Sequence, residues 1–346
     1  MSSCKILWKK LHLFLGIYIG LIIVVVAAIA GRGNLQMLKM VVPVNDADWR
    51  ATNSKNEIVA LPFVIELNSF AIEEYDSGKP KTFTSKITVY TQQGDTINGI
   101  VEVNKPLSVY GWKIYQHSYD KTLGKLGRYS VFTIVKDPRL PVVYTGFLFI
   151  FTGTLFFIFK RFSVKSLRVR KTVLIALGGI ILFSFLTARV WFSPQRMSNL
   201  MPALQSIWFI PHVSMYIFAY ALLSVAVIYA LFLLLMKNNF KKQRQVMLLC
   251  DDLVYSGSAF LTMGILIGAI WAKAAWGHYW TWDPKETWAA ITWLSFLFYI
   301  HFRLWKPAKI KTAICLLFFS YLLLQICWLG VKYLPFLQGN SIHVYR

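Results

Sequence analysis

The sequence predicts an α-helical polytopic membrane protein with a small β-rich extracytoplasmic domain inserted near its start. Three observations carry that prediction. Of 346 residues, 56% are hydrophobic and 15% charged, with a mean hydropathy of +0.51, too little polar surface to coat a soluble globule of this size. Seven stretches approach or exceed the length of about 20 apolar helical residues that a hydrocarbon core of ~30 Å demands. One long polar stretch, 31–141, separates the first of them from the rest.

The first element, 1–30, reads as an amino-terminal membrane helix over 11–30. Lys9-Lys10, the apolar run and Ala28-Ile29-Ala30 also mimic the three regions of a cleavable signal. Its apolar run of some 20 residues exceeds the roughly 7–15 of a signal core, which favours a retained helix. Residues 31–141 follow as the β-rich domain. Phe83, Ser85, Ile87 and Val89 alternate with Thr84, Lys86, Thr88 and Tyr90, and further strands are expected over 58–70, 96–103, 112–119 and 129–136. Ser77-Gly78, Gln93-Gly94-Asp95 and Asp137-Pro138 punctuate them, which suits a small sandwich or barrel. The rest, 142–346, is a membrane domain with spans expected over 142–159, 172–190, 212–236, 253–272, 287–304 and 312–330.

Orientation follows from the short flanks, because Lys and Arg resist translocation. The tail before 11, and segments 160–171, 237–244 and 303–311, together hold 17 basic residues, whereas the alternate flanks hold six: Arg189, Arg196, Lys273, Lys285, Lys332 and Arg346. The amino terminus is therefore expected inside, with the β domain, loops 191–211 and 273–286, and the tail 331–346 outside. The formal charge of +22 thus belongs to topology and to the β domain, and nucleic acid is not an expected partner. The cysteines, Cys4, Cys250, Cys315 and Cys327, form no C-x-x-C pair, which argues against a disulfide scaffold, a thiolate metal site or covalent haem attachment to this chain.

Chemistry concentrates near the carboxyl-terminal half. Six of thirteen tryptophans fall at 271, 276, 280, 282, 288 and 293, around the outer loop W-G-H-Y-W-T-W-D-P-K-E. Such a cluster has two readings: an interfacial belt, or a flat apolar floor for a large planar ligand with indole N–H groups for its polar edge. Asp283, Pro284 and Glu286 read as N-cap, N1 and N3 of the helix 287–304. His212 follows Pro211 at the outer start of a span, and His343 lies in the outer tail. His301 is 18 residues past Asp283, about 27 Å deeper at 1.5 Å per residue, and His12 opens the first helix at the same inner end. Each histidine alone reads as an interfacial anchor or as a ligand. Two pairs at matched depths suit axial ligation of haem iron, for which neutral imidazole is a good donor. His117 reads as a strand surface residue, and His278 as a candidate contact within the loop.

The string W-G-H-Y-W-T-W-D-P-K-E-T-W, preceded by L-Q-S-I-W-F-I-P-H-V-S-M-Y and followed by a tail with His343, resembles the haem-handling CcsA (ResC) family of cytochrome c maturation, with its tryptophan-rich "WWD" domain. Residues 58–119, with L-P-F-V-I-E-L, K-T-F-T-S-K-I-T-V-Y and V-N-K-P-L-S-V-Y-G-W-K-I-Y-Q-H-S-Y, look like the extracytoplasmic part of ResB (CcsB) proteins. The chain thus resembles a shortened fusion of the two, spanning a bacterial inner membrane. The resemblance implies haem b carried in transit, held outside by His212 and His343 and inside by His301 and His12, with Trp276, Trp280, Trp282 and Asp283 as contacts. It implies presentation of haem to the C-x-x-C-H thiols of an apocytochrome c, hence a component of a holocytochrome c synthase. Lys285, Arg196 and Lys332 are candidates for the propionates from their outer position. Only one span accompanies the ResB-like part where that family has several, so a separate ResB-type subunit and thiol-reducing proteins are expected partners. A bis-histidine b-type electron-transfer cytochrome and a solute transporter are the rival classes, told apart by electron exchange with quinone and by purification without haem.

Overall fold

The computed structural model describes residues 15–31, 35–78, 80–120, 122, 127–163, 189, 202–236 and 240–330. His12, Arg196, Lys332, His343 and the expected span 172–190, apart from Arg189, lie outside the described residues.

Helix α1, Leu15–Gly31, leads into eight strands: β1 Gln36–Pro43, β2 Ala47–Thr52, β3 Ile58–Glu74, β4 Pro80–Thr91, β5 Thr96–Glu102, β6 Leu107–Val109, β7 Trp112–Tyr119 and β8 Tyr129–Lys136. They form one antiparallel sheet in the order β5-β4-β3-β2-β1-β8-β7-β6. Two-residue alternation puts Leu38, Met40 and Val42, then Leu61, Phe63, Ile65 and Leu67, on one face, where they meet Ile114, Phe132 and Ile134. That shared core curls the sheet. Its two end strands approach, with a Glu102–Lys105 bridge and Leu107 packed so close to Gly99 that a Cβ there would lie 2.6 Å from it. The result is a barrel-like domain, one of the two forms the turn spacing suggested.

The first and last strands, β1 and β8, are neighbours along their full length, from Gln36 opposite Lys136 to Pro43 opposite Tyr129. This register brings the end of α1 beside the start of α2, Leu140–Ser163. Small residues let the two helices touch backbone to backbone: a Cβ on Gly16 would lie 2.9 Å from Gly153 Cα, and one on Gly20 2.6 Å from the Gly146 carbonyl. Close approach through glycine is how helices associate where lipid offers no hydrophobic drive.

The remaining elements are a 3₁₀ turn Pro202–Gln205, α3 Phe209–Leu235, α4 Phe240–Trp276, α5 Pro284–Trp305 and α6 Ile310–Gln325, which runs on as a π turn Ile326–Gly330. Among the described residues, four segments are long and apolar enough to cross a membrane: Leu140–Phe157, Phe209–Leu235, Phe240–Trp276 and Ile310–Leu329. The apolar helix Leu15–Ala27 is shorter, and α5 carries Lys285, Glu286 and Arg303 and is not among the four. Helix α4 begins at Phe240, well before the apolar window 253–272, because hydropathy marks what lipid tolerates and not where a helix starts. Its extension holds Asp251, buried against α5: Arg303 Nε and Nη2 donate to its two oxygens at 2.9 and 2.8 Å, and the Tyr299 hydroxyl donates at 2.9 Å. Arg303 Nη1 also donates to the Pro307 carbonyl at 2.6 Å, which ties down the turn before α6. Higher in the bundle, Trp293 Nε1 donates to Thr262 Oγ1 at 2.8 Å, and Ser224 meets the Tyr321 hydroxyl at 2.9 Å.

Candidate haem site

Pro211 is tolerated in α3 because it lies in the first turn, where its missing N–H has no carbonyl to serve. The next residue, His212, starts a stripe at four-residue spacing, His212, Tyr216, Tyr220 and Ser224, which shares one face of α3. That face meets α4 at Gly264 and Gly268, again four apart. A Cβ on Gly268 would lie 2.6 Å from the His212 ring, and one on Gly264 3.2 Å from Tyr216. The two glycines are sockets for the two rings. His212 Nδ1 donates to the Gly264 carbonyl at 2.9 Å, since a carbonyl can only accept, and this assigns the neutral ring's lone pair to Nε2. Tyr216 packs edge-on against the imidazole at 4.9 Å between centroids, and Trp271 lies at 5.6 Å.

In front of this stripe is a cavity of about 660 Å³, within the range of about 300–1,000 Å³ usual for ligand pockets. Helix α3 supplies His212, Tyr216, Tyr220 and Ser224; α4 supplies Ile265, Gly268, Ala269 and Trp271; α5 supplies Lys285, Glu286 and Ala289; and Cys327 and Trp328 of the π turn complete the wall. Tyr279 and Trp280 come from the tryptophan loop. The cavity is mostly apolar and aromatic, with polar groups at His212, Lys285 and Glu286. The indole Nε1 of Trp280 is buried with no hydrogen-bond partner among the described residues, a donor that a polar ligand edge would satisfy. Burial, with Asp137 adding to it, holds the Tyr279 phenol above its usual pKa, so it stays a neutral donor at physiological pH.

The structure divides the tryptophans that the sequence grouped. Of Trp276, Trp280 and Trp282, only Trp280 lines the cavity. Trp276 packs on Trp271 at 5.5 Å and stacks on His278 at 6.3 Å, behind the wall. Trp282 is 72% exposed, edge-on to Trp280 at 5.8 Å, with a left-handed backbone at φ 60°. Asp283 closes the loop as a capping box: its carboxylate accepts from Lys285 N at 2.7 Å and Glu286 N at 3.4 Å, while Glu286 accepts from Thr281 N at 2.7 Å and Asp283 N at 3.3 Å. Asp283 therefore sets where Lys285 and Glu286 enter the cavity wall and does not itself line it. His117 is exposed on β7.

His301 sits elsewhere, between α5 and α1. Its Nδ1 donates to the Leu297 carbonyl of its own helix at 2.7 Å, and the Tyr18 hydroxyl of α1 donates to its Nε2. Sequence reasoning missed Tyr18, Trp328 and the tyrosine stripe, and named Trp271 only as one of the tryptophan cluster. The stripe had a signal, a four-residue repeat from His212, and so had the G-x-x-x-G at 264–268.

Comparison with known proteins places both halves of the chain among relatives. The profile of the cytochrome C assembly protein family matches residues 143–338, and that of the ResB-like family matches residues 14–128. The cytochrome c biogenesis protein CcsA of Chlamydomonas reinhardtii is 40% identical over 180 residues, covering 50% of this chain and 50% of that protein. The CcsA of Heterosigma akashiwo strain NIES-293 is 36% identical over 194 residues, 44% of this chain and 59% of that one, and the CcsA of Guillardia theta is 34% identical over 208 residues, 51% and 68%. The chain spans about half to two-thirds of the length of these curated relatives.

Proposed function

Because the chain belongs to the cytochrome C assembly protein family, we propose that it binds haem b without covalent attachment and presents it to the C-x-x-C-H thiols of an apocytochrome c. The observation that carries this reading is His212, held by a carbonyl of the neighbouring helix at the wall of an aromatic cavity. In this reading His212, through Nε2, and His343 would hold the iron. Ligation by two imidazoles would keep O₂ from the iron while the group is presented to the thiols. Trp280 and Trp271 give the porphyrin an apolar wall, with Trp276 supporting Trp271 and Trp282 supporting Trp280, and Trp280 Nε1 has a hydrogen bond to give. Lys285 at the wall, with Arg196 and Lys332, serves the propionates. Asp283 acts through the cap that places Lys285.

His301 and His12 form the inner site, from which haem moves outward; for His301 to accept iron, the Tyr18 hydroxyl must leave its Nε2. The organisation we propose is a helix within 1–30, a ResB-like domain over 31–141, and a haem-handling domain over 142–346. Seven spans cross a bacterial inner membrane, adding α1, α5 and 172–190 to the four segments that qualify by length and apolarity. The amino terminus is cytoplasmic and the cavity faces the periplasm. The protein acts as a component of a holocytochrome c synthase, with a ResB-type subunit and thiol-reducing proteins as partners. Co-expression with a C-x-x-C-H reporter, in a host without its own maturation pathway, tests this. Covalent haem on the reporter is expected, and a reporter left without haem while this chain is membrane-inserted would refute it.

A further inference from the structure

Two lines of contact run from the barrel-like domain to opposite walls of the cavity. On one side Asp137, between β8 and α2, pairs with Lys273 in the last turn of α4 at 2.8 Å, and both side chains are nearly inaccessible, at 10% and 4%. Lys273 Nζ lies 5.5 Å from the ring centre of Tyr279 in the cavity wall. Beside this pair Gly277 turns the chain at φ 85°, where a Cβ would lie 2.9 Å from the Tyr115 ring and 3.0 Å from Val135. Strands β7 and β8 thus press directly on the turn that launches the tryptophan loop. On the other side Asn104, between β5 and β6, donates through Nδ2 to the Pro202 carbonyl at 2.8 Å. The 3₁₀ turn that begins there is also held by Gln205 Nε2 on the Lys81 carbonyl of β4 at 2.9 Å. Its Ala203 carbonyl accepts from Trp271 Nε1 at 3.1 Å, and Trp271 lies against His212.

We infer that the barrel-like domain sets the geometry of the cavity, with Asp137 and Asn104 as positioning residues, Asp137 acting through Lys273 on Tyr279 and Trp280, and Asn104 acting through the 202–205 turn on Trp271 and His212. The physical reason lies in the kind of contact each uses. A buried ammonium cannot shift away from its counter-charge without exposing an uncompensated charge, so the ion pair fixes register rather than adding adhesion. A buried indole N–H likewise has one acceptor to follow. The fused β domain is therefore part of the ligand site although none of its side chains lines the cavity. The inference rests on the reading of that cavity as the haem site.

The test uses the full chain in detergent and two readouts, one of which needs no haem. Amide hydrogen exchange over 277–283 is compared with exchange over 292–300 in α5, and hemin affinity is measured by absorbance titration. Asp137→Asn is expected to speed exchange over 277–283 about tenfold, leave 292–300 unchanged, and weaken hemin binding about tenfold. The reversed pair, Asp137→Lys with Lys273→Asp, should restore both readouts. Should Asp137→Asn fail to fold, Asp137→Leu with Lys273→Met removes the charges at similar volume, and faster exchange confined to 277–283 is again expected. Asn104→Ala should weaken hemin binding and change the axial-ligand spectrum without altering exchange over 277–283. Exchange and affinity unchanged in all variants, or exchange raised equally over 292–300, would overturn the inference. The expected exchange pattern in a wild-type protein that takes up no hemin would sustain the positioning role and remove the haem reading instead.

Discussion

His212 and His301 are both part-buried imidazoles on helices of one bundle, yet their surroundings differ in kind. His212 donates across to α4, into a socket made by Gly264 and Gly268, with a cavity along its face. His301 donates back to its own helix and receives the Tyr18 hydroxyl from α1. The difference teaches that the neighbours, and not the histidine, set how an imidazole is held: one ring is turned by the carbonyl of another helix at a cavity wall, and the other is fixed between its own helix and the hydroxyl of α1. In the proposed reading the His212 site is set by the packing of α3 on α4, and the His301 site is coupled to the packing of α1 on the bundle.

Four substitutions, the last two read as a pair, break or sharpen this contrast, in descending size. The carboxyl-terminal end of α5, where His301 sits, is held by the Asp251 pair, so Arg303→Met leaves Asp251 buried without its counter-charge, with the Tyr299 hydroxyl still donating to it. A loss of about 3–5 kcal/mol is expected, read as a large fall in thermal unfolding temperature in detergent; a change within 1 °C would show the pair is not what anchors that end. Gly268→Ala places a methyl in the socket of His212, and the resulting overpacking is expected to cost about 1–3 kcal/mol of hemin affinity with an altered axial spectrum. Normal affinity and spectrum in that variant would mean that the socket does not orient the ring. Tyr18→Phe removes the hydroxyl from His301 Nε2 at a cost of about 0.5–1.5 kcal/mol in stability. Haem that co-purifies should rise in that variant and fall in His301→Ala, and haem content indifferent to both would reduce His301 to a helix-packing residue.

Much of the frame around these histidines was legible from the sequence, and the reason is local physics. The capping box of Asp283 and Glu286 is a three-residue pattern and appears as read. The strands over 96–102, 112–119 and 129–136 fall where alternation and turn residues put them. What escaped depends on long-range pairing. Asp251 and Arg303 are 52 positions apart, and nothing near either announces the partner; their presence in or beside apolar stretches was the available hint. The tryptophan loop stands out in the sequence, but which rings face the cavity is decided by two left-handed residues, Gly277 and Trp282, whose turns reverse the chain and send Trp282 outward. Strand β1 was missed because its Leu38, Met40 and Val42 alternation is short and lies beside the first apolar window.

The central claim is that His212 holds iron at the outer cavity, and His212→Ala with and without added imidazole tests it most directly. The vacated position lies beside the cavity, and the tryptophans still offer a wall for the porphyrin. The expected result is reporter maturation lost more completely than bound haem, with a bis-imidazole-type spectrum and part of the maturation returning when imidazole is supplied. A variant with the wild-type spectrum and undiminished maturation, indifferent to imidazole, would contradict the account.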